Sequence, residues 1–217
     1  MAVTSFGGLE IAFDEGVLTP RPWTIAQSQW AIELLGALPD GPVLELCCGA
    51  GQIGLVVAHA TGRRLVQVDD DERACAFARR NADVAGQTSE VRHAAIEDAV
   101  GPGEKFVLVL ADPPYIPSED TDRFDADPAH AIDGGPDGLD VARRCIALAR
   151  HALDDGGAVL VQTAGPAQAD DLAAEATGFA RHEVRRHDDE RAILLLASPA
   201  GSTVGSAPPA DRRGVTR

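Results

Sequence analysis

The chain has 217 residues, in which 19 Lys and Arg stand against 34 Asp and Glu for a formal charge of -15. This length suits a single domain with a substantial core, and the negative charge repels phosphate backbones, so long nucleic acid is disfavoured as a partner. No stretch reaches the roughly 18 apolar residues of a membrane span, and MAVTSFGGLE at the start lacks a basic segment followed by an apolar one, so a cytoplasmic protein without a membrane partner is expected.

In chain order, LEIAF, DEG and VL between Leu9 and Leu18 predict a short hairpin turning at Asp14 to Gly16. TPRPW follows as a stiff loop. Thr24, with Gln27 placed to complete a capping box, predicts a helix through about Leu38. The chain then alternates: a strand at 43–46, a helix from Gln52, a strand at 65–69, a helix from Glu72 capped by Asp71, and strands near 90–93 and 105–111. A helix from Asp140, a strand at 158–163, a helix from Ala167 and two closing strands near 181–187 and 191–197 complete the pattern. Strands alternating with helices at this spacing predict an α/β fold, a mostly parallel sheet covered on both faces. Residues 1–23 are expected to form an N-terminal hairpin and substrate-side loop, 24–198 the main domain, and 199–217, rich in Gly, Ser, Pro and Ala, a disordered tail. Cys47, Cys48, Cys75 and Cys145 have neither metal spacing nor a disulfide framework and read as packed free thiols, and no metal is expected.

Two segments carry chemistry. VLELCCGAGQIG places Gly49, Gly51 and Gly54 between an apolar strand and a helix, where backbone can approach a ligand closely. Asp69 ends the next strand, where a carboxylate can accept both hydroxyls of a ribose. The pattern predicts an adenosine-containing cofactor and leaves NAD and S-adenosylmethionine both open. Glu45, close before the loop, tilts the balance, because an anion there repels a pyrophosphate and suits the ammonium of a methionine moiety.

VLVLADPPYIPSED is the second segment. The strand ending at Asp112 is predicted to lie beside the glycine-loop strand, where strand order reverses and ligands bind. Asp112 and the Pro113 carbonyl would form two acceptors converging on one NH2 group, and Tyr115 offers a flat face for a planar amide or base. Two accepting contacts would draw the hydrogens aside and aim the nitrogen lone pair at a sulfonium methyl.

LELCCGAG, VDDDERA, ADPPYIP, AIDGGPDGLD and DDERAILLLA, in this order and spacing, resemble the class I S-adenosylmethionine-dependent methyltransferases of the protein-(glutamine N5) branch, which modify peptide release factors. The resemblance covers about Phe6 to Ala197 and implies a Rossmann-like fold with seven strands in the order 3-2-1-4-5-7-6. It implies S-adenosyl-L-methionine as cofactor, wrapped by Cys47, Cys48, Gly49, Ala50 and Gly51 and held by Asp69 with Asp70 beside it, and Ile96 against adenine. Asp112, Pro113, Pro114 and Tyr115 would grip the target NH2, with Arg21 in a loop closing over the substrate. The chain departs from the branch in having Asp112 where asparagine is usual and Ala95 where an acid is common, leaving Glu97 or Asp98 as substitutes at adenine. The N-terminal helical domain of bacterial members is not expected here. A protein glutamine amide, as in a release factor, is the expected acceptor. The alternatives are a nucleobase amino group of the adenine N6 kind, a small-molecule amine, or a non-catalytic binding member of the fold.

Overall fold

The computed structural model describes residues 1–200. The chain begins with a hairpin of β1 (Ala2–Phe6) and β2 (Leu9–Phe13). Gly7 and Gly8 turn it with φ of 56° and 87°, the mirror-image conformation that matches strand twist in two-residue turns. The turn expected at Asp14 to Gly16 also forms, with the Asp14 carbonyl accepting from Val17 N and its carboxylate from Gly16 N, but it follows β2 rather than joining the two strands. The correction is one of partner: LEIAF pairs with the preceding AVTSF across the Gly-Gly turn, and Val17 and Leu18 form no strand.

Seven further strands make one sheet: β3 (Val43–Leu46), β4 (Leu65–Asp69), β5 (Ser89–His93), β6 (Phe106–Ala111), β7 (Leu153–Thr163), β8 (Arg181–Asp188) and β9 (Arg191–Ala197). Their order is β5-β4-β3-β6-β7-β9-β8, with β9 antiparallel to both neighbours and the other pairs parallel. Numbered within the sheet, this is 3-2-1-4-5-7-6, as the resemblance implied. Every residue of VLEL and FVLVLA is buried, because helices cover both faces of these central strands. Alternate residues supply two cores. Val43, Leu108 and Leu110 pack with α1 (Ile25–Leu35), α2 (Gln52–Thr61) and the hairpin's Phe6 and Ile11. Leu44, Leu46 and Val109 pack with α4 (Asp140–Ala152) and α5 (Pro166–Glu175) on the other face.

Between β4 and β5 runs α3 (Glu72–Val84), whose first turn is capped by the Asp71 carboxylate accepting from Arg73 N. The capping box expected at Thr24 is absent. The Thr24 hydroxyl donates back to the Arg21 carbonyl, and Gln27 is fully buried, donating to the carbonyls of Ala111 and Leu160 at 3.0 and 3.1 Å. Tertiary contact with the sheet outcompetes a local cap there. β7 begins at Leu153, five residues before the apolar run that predicted it, and pairs through a register shift with β6. The tail assigned to 199–217 lies from residue 201 onward outside the described residues.

Candidate active site

The glycine loop leaves the carboxyl end of β3 and enters α2. Cys47 is the only non-glycine among the described residues with positive φ, at 54°. The loop is fixed from outside. Gly49 N donates to Asp69 Oδ2 at 2.8 Å and Gly51 N to the Cys48 carbonyl at 2.8 Å, while Gln67 Nε2 donates to the Gly51 carbonyl at 3.0 Å. Asp69 Oδ1 accepts from Asp71 N at 3.0 Å, which aims this carboxylate and leaves two of its roughly four lone-pair positions unused. Burial raises the Asp69 pKa from its ordinary range, against the lowering by the Gly49 and Asp71 amides.

One cavity runs past this loop to the end of β6. Cys47, Cys48, Gly49, Asp69, Asp70, Ile96, Asp112, Pro114 and Arg21 all line it. A Cβ on Gly49 would meet no protein atom within 4 Å, so the loop leaves room for a ligand against the backbone. Ala94, Ile96 and Val141 also line the cavity, as do residues 17–19 with Gln52 and Ile53. Apolar side chains, a carboxylate with unused lone pairs and an open glycine turn on one cavity fit a nucleoside carrying an amino-acid tail.

Asp112 sits in the cavity wall without a hydrogen bond to any described residue. Its burial pushes its pKa up to about 7, with the nearby Arg21 charge acting in the opposite direction. One guanidinium nitrogen of Arg21 donates to both carboxylate oxygens of Asp127, at 2.6 Å to Oδ1, tying the segment before α1 to the acidic loop after β6. Trp23 is held between cations, with the Arg191 guanidinium 4.0 Å from its ring centroid and that of Arg21 at 5.7 Å. On the far side His130 Nε2 lies 3.5 Å from Asp71 Oδ2, so the acidic loop reaches over the cavity from both flanks.

A family model described as the methyltransferase small domain matches residues 26–188. The chain belongs to the methyltransferase small-domain family. Among curated relatives of this methyltransferase domain, the release factor glutamine methyltransferase of Mycolicibacterium smegmatis is 38% identical over 170 residues, covering 75% of this chain and 59% of that protein. The one from Deinococcus radiodurans is 35% identical over 203 residues, covering 90% of this chain and 72% of that protein. The chain spans only 59% and 61% of the first two curated relatives it matches. Among solved structures, a methyltransferase from Pyrococcus furiosus superposes with a TM-score of 0.66 at 17% identity, covering 88% of this chain and 90% of that one. A Thermus thermophilus 16S rRNA N2 G1207 methyltransferase in complex with AdoMet and guanosine gives 0.66 at 18% identity, covering 91% and 50%. The likeness establishes the Rossmann-like methyltransferase fold.

The methyltransferase domain does not bring every expected residue to its cavity. Glu45, expected to face a ligand ammonium, is 3% exposed and does not line it. Its Oε1 accepts from Gly54 N at 3.0 Å and its Oε2 from Gln67 Nε2 at 2.6 Å, and burial raises its pKa to about 7. Glu45 alternates onto the α2 face of β3, so it braces the loop from beneath. Ala50 and Gly51 lie behind the lining, as do Pro113 and Tyr115. The Pro113 carbonyl accepts no hydrogen bond from a described residue, and the Tyr115 carbonyl accepts from Gln168 Nε2 at 3.0 Å. Tyr115's buried phenol has its pKa raised by desolvation and by Asp112. Glu97, offered as a partner for adenine, is bound to Arg144 Nε at 2.7 Å and lies off the lining, whereas Arg144 is on it. Arg144 and Gln52 were missed. Gln52 had a signal, as the lone polar residue opening the apolar helix QIGLVVA, while Arg144 reaches the cavity only through the packing of α4.

Proposed function

We propose that this domain transfers a methyl group from S-adenosylmethionine to a protein glutamine side-chain amide of the release-factor kind, acting in the cytoplasm. Asp112, an unpartnered carboxyl in the wall of the cavity that the glycine loop opens into, carries this reading. The curated relatives named above, release factor glutamine methyltransferases, favour the amide over other nitrogens. When bound, the cofactor supplies a methyl carbon made electrophilic by its sulfonium sulfur.

The chain's own groups would do the rest. Asp69 accepts from the ribose hydroxyls with its unused lone pairs, and Ala94, Ile96 and Val141 exclude water from the base. Asp112 would accept one hydrogen of the target NH2, turning the nitrogen lone pair toward the methyl, and would take up the proton released as the nitrogen–carbon bond forms and the sulfur–carbon bond breaks. Pro114 would confine the planar group, and Arg21, through Asp127, would hold the acidic loop over it.

The presence of Asp112 in place of asparagine supports a second reading, a nucleobase or small-molecule amino group, because an ionised carboxylate accepts from any NH2 but donates to none. Incubation with methyl-labelled cofactor and separate pools of release factor, DNA, RNA and metabolites distinguishes the two. Label on the release factor's glutamine is expected, and label confined to nucleic acid or metabolites overturns the first reading. Asp112→Ala is expected to abolish transfer while leaving cofactor affinity nearly intact; undiminished turnover would remove Asp112 from its role.

A further inference from the structure

The segment from Asp112 to Tyr115 is tied at both ends by side-chain amides. Before it, Gln27 on α1 donates from Nε2 to the Ala111 carbonyl at 3.0 Å and to the Leu160 carbonyl of β7 at 3.1 Å. After it, Gln168 on α5 donates from Nε2 to the Tyr115 carbonyl at 3.0 Å, while its Oε1 accepts from Ala164 N at 2.9 Å. Between those ties Pro113 and Pro114 have no N–H, and neither the Asp112 carboxyl nor the Pro113 carbonyl accepts from a described residue. Proline rings lock φ, so the span is stiff, and fixing its ends fixes the carboxyl it carries.

The two glutamines approach from opposite faces of the sheet, α1 packing in the core of Trp30 and Leu110 and α5 in that of Val109 and Leu172. Neither lines the cavity. Gln27 is 0% exposed at an interface that α1 otherwise makes with Trp30, Ala31 and Leu35, and its Oε1 has no partner. An apolar side chain would avoid that unpaired oxygen, so what the amide contributes lies in the carbonyls it holds. A Cβ on Gly138 would run into both the Tyr115 carbonyl and Gln168 Nε2, so the glycine there admits the second tie.

We propose that Gln27 and Gln168 are positioning residues that act together as a clamp on the segment from Asp112 to Tyr115 and set where the Asp112 carboxyl stands in the cavity. This rests on the proposed methyl transfer and adds to it two residues outside both motifs. Rate in such a transfer comes from alignment, and a misplacement of about 1 Å costs up to about a hundredfold. Because the span is stiff, releasing either end moves the carboxyl, and releasing the second adds little.

Transfer from methyl-labelled cofactor to whichever acceptor takes the label tests the clamp at about pH 8, where Asp112 is ionised. Gln27→Met and Gln168→Met are each expected to lower kcat by about tenfold to a hundredfold, with S-adenosylhomocysteine affinity in calorimetry staying within about twofold of the parent. The double variant is expected to lose no more than about twice the larger single loss, since residues acting as a unit are not additive in rate, whereas the shifts in melting temperature at two separate sites should add. Gln168→Glu keeps an acceptor for Ala164 N and removes the donor to Tyr115, so it should be as slow as Gln168→Met; full activity in it would confine Gln168 to the Ala164 turn and overturn the clamp. Gln168 is only partly buried, so its two variants decide the matter even where Gln27→Met does not fold. Undiminished kcat in either folded Met variant, cofactor affinity falling in step with kcat, or losses that multiply in the double variant also overturn it. If the unmodified protein labels none of release factor, DNA, RNA and metabolites, the methyl-transfer reading itself falls, whereas equal labelling by parent and variants removes only the clamp.

Discussion

At Asp112 a single carboxyl combines partial burial, a raised pKa and no hydrogen-bond partner among the described residues. With its pKa near 7, the group changes charge across the neutral range. The ionised form is the stronger acceptor and complements a sulfonium cation. The expected kcat/KM therefore rises about tenfold per pH unit below about pH 7 and levels off above it, as free-enzyme profiles report the essential base. Asp112→Asn, whose amide oxygen accepts but does not titrate, should flatten that limb, and a parallel limb in the variant would assign the titration elsewhere. Gly51 makes a second residue-scale test. Its φ is 84°, and a Cβ would come within 2.7 Å of Gln67 Nε2 and 3.2 Å of the Ala78 Cβ. Gly51→Ala should destabilise by more than about 2 kcal/mol in denaturant melts, from left-handed strain plus the displaced Gln67.

Elements are joined here by buried polar side chains as well as by apolar packing. Asn81 on α3 donates to the carbonyls of Ala12 and Ala50 at 2.9 and 2.8 Å and accepts from Ala12 N at 2.9 Å. One amide thus docks the hairpin and the glycine loop onto the same helix. Asn81→Ala leaves those buried backbone groups unpaired and is expected to cost about 2–4 kcal/mol, read as a lower denaturant midpoint. A second tie runs from Ser89 Oγ to Gln67 Oε1 at 2.8 Å, then from Gln67 to Glu45 and from Glu45 to Gly54 N, crossing β5, β4, β3 and α2. A Cβ on Gly54 would run into the Glu45 carboxyl, so the glycine there admits the brace. The apolar alternation that predicted the strands was legible in the sequence. These polar ties were not, because each joins residues far apart in the chain and leaves no local signature.

At the scale of the whole molecule, buried and paired carboxyls make stability depend on pH. Burial holds Glu45 and Asp112 near 7, above the unfolded carboxylate range, so the folded state keeps protons that the unfolded chain releases between about pH 4 and 7. Their contribution to stability is present below that window and lost as pH rises through it. Glu104, held at about 2 by Arg92, acts in the opposite sense, its contribution being lost as pH falls below about 4. Because it is exposed enough to be screened, the buried pair dominates. Stability is therefore expected to peak on the acid side of neutrality, and the melting advantage of Asp112→Asn over the parent should be larger at about pH 8 than at about pH 5. Thermal melts across that range check both, and an advantage that does not grow with pH would show that Asp112 is not held protonated.

By itself the sequence determined the sheet, its helices and the two loops that meet at the site, because apolar periodicity, glycine spacing and an Asp-Pro-Pro turn are local properties of the chain. Even the meeting of those loops was implicit in it, since strand order in a doubly wound sheet puts the β3 and β6 ends side by side. Only the tertiary structure decided which polar groups face the cavity. Glu45 and Gln52 are both polar and both next to the glycine loop, yet the pleat of β3 directs the carboxylate inward to buried partners while the first turn of α2 leaves the amide unpaired at the cavity. Direction and partner are set by packing among residues distant in sequence, and no local pattern encodes them.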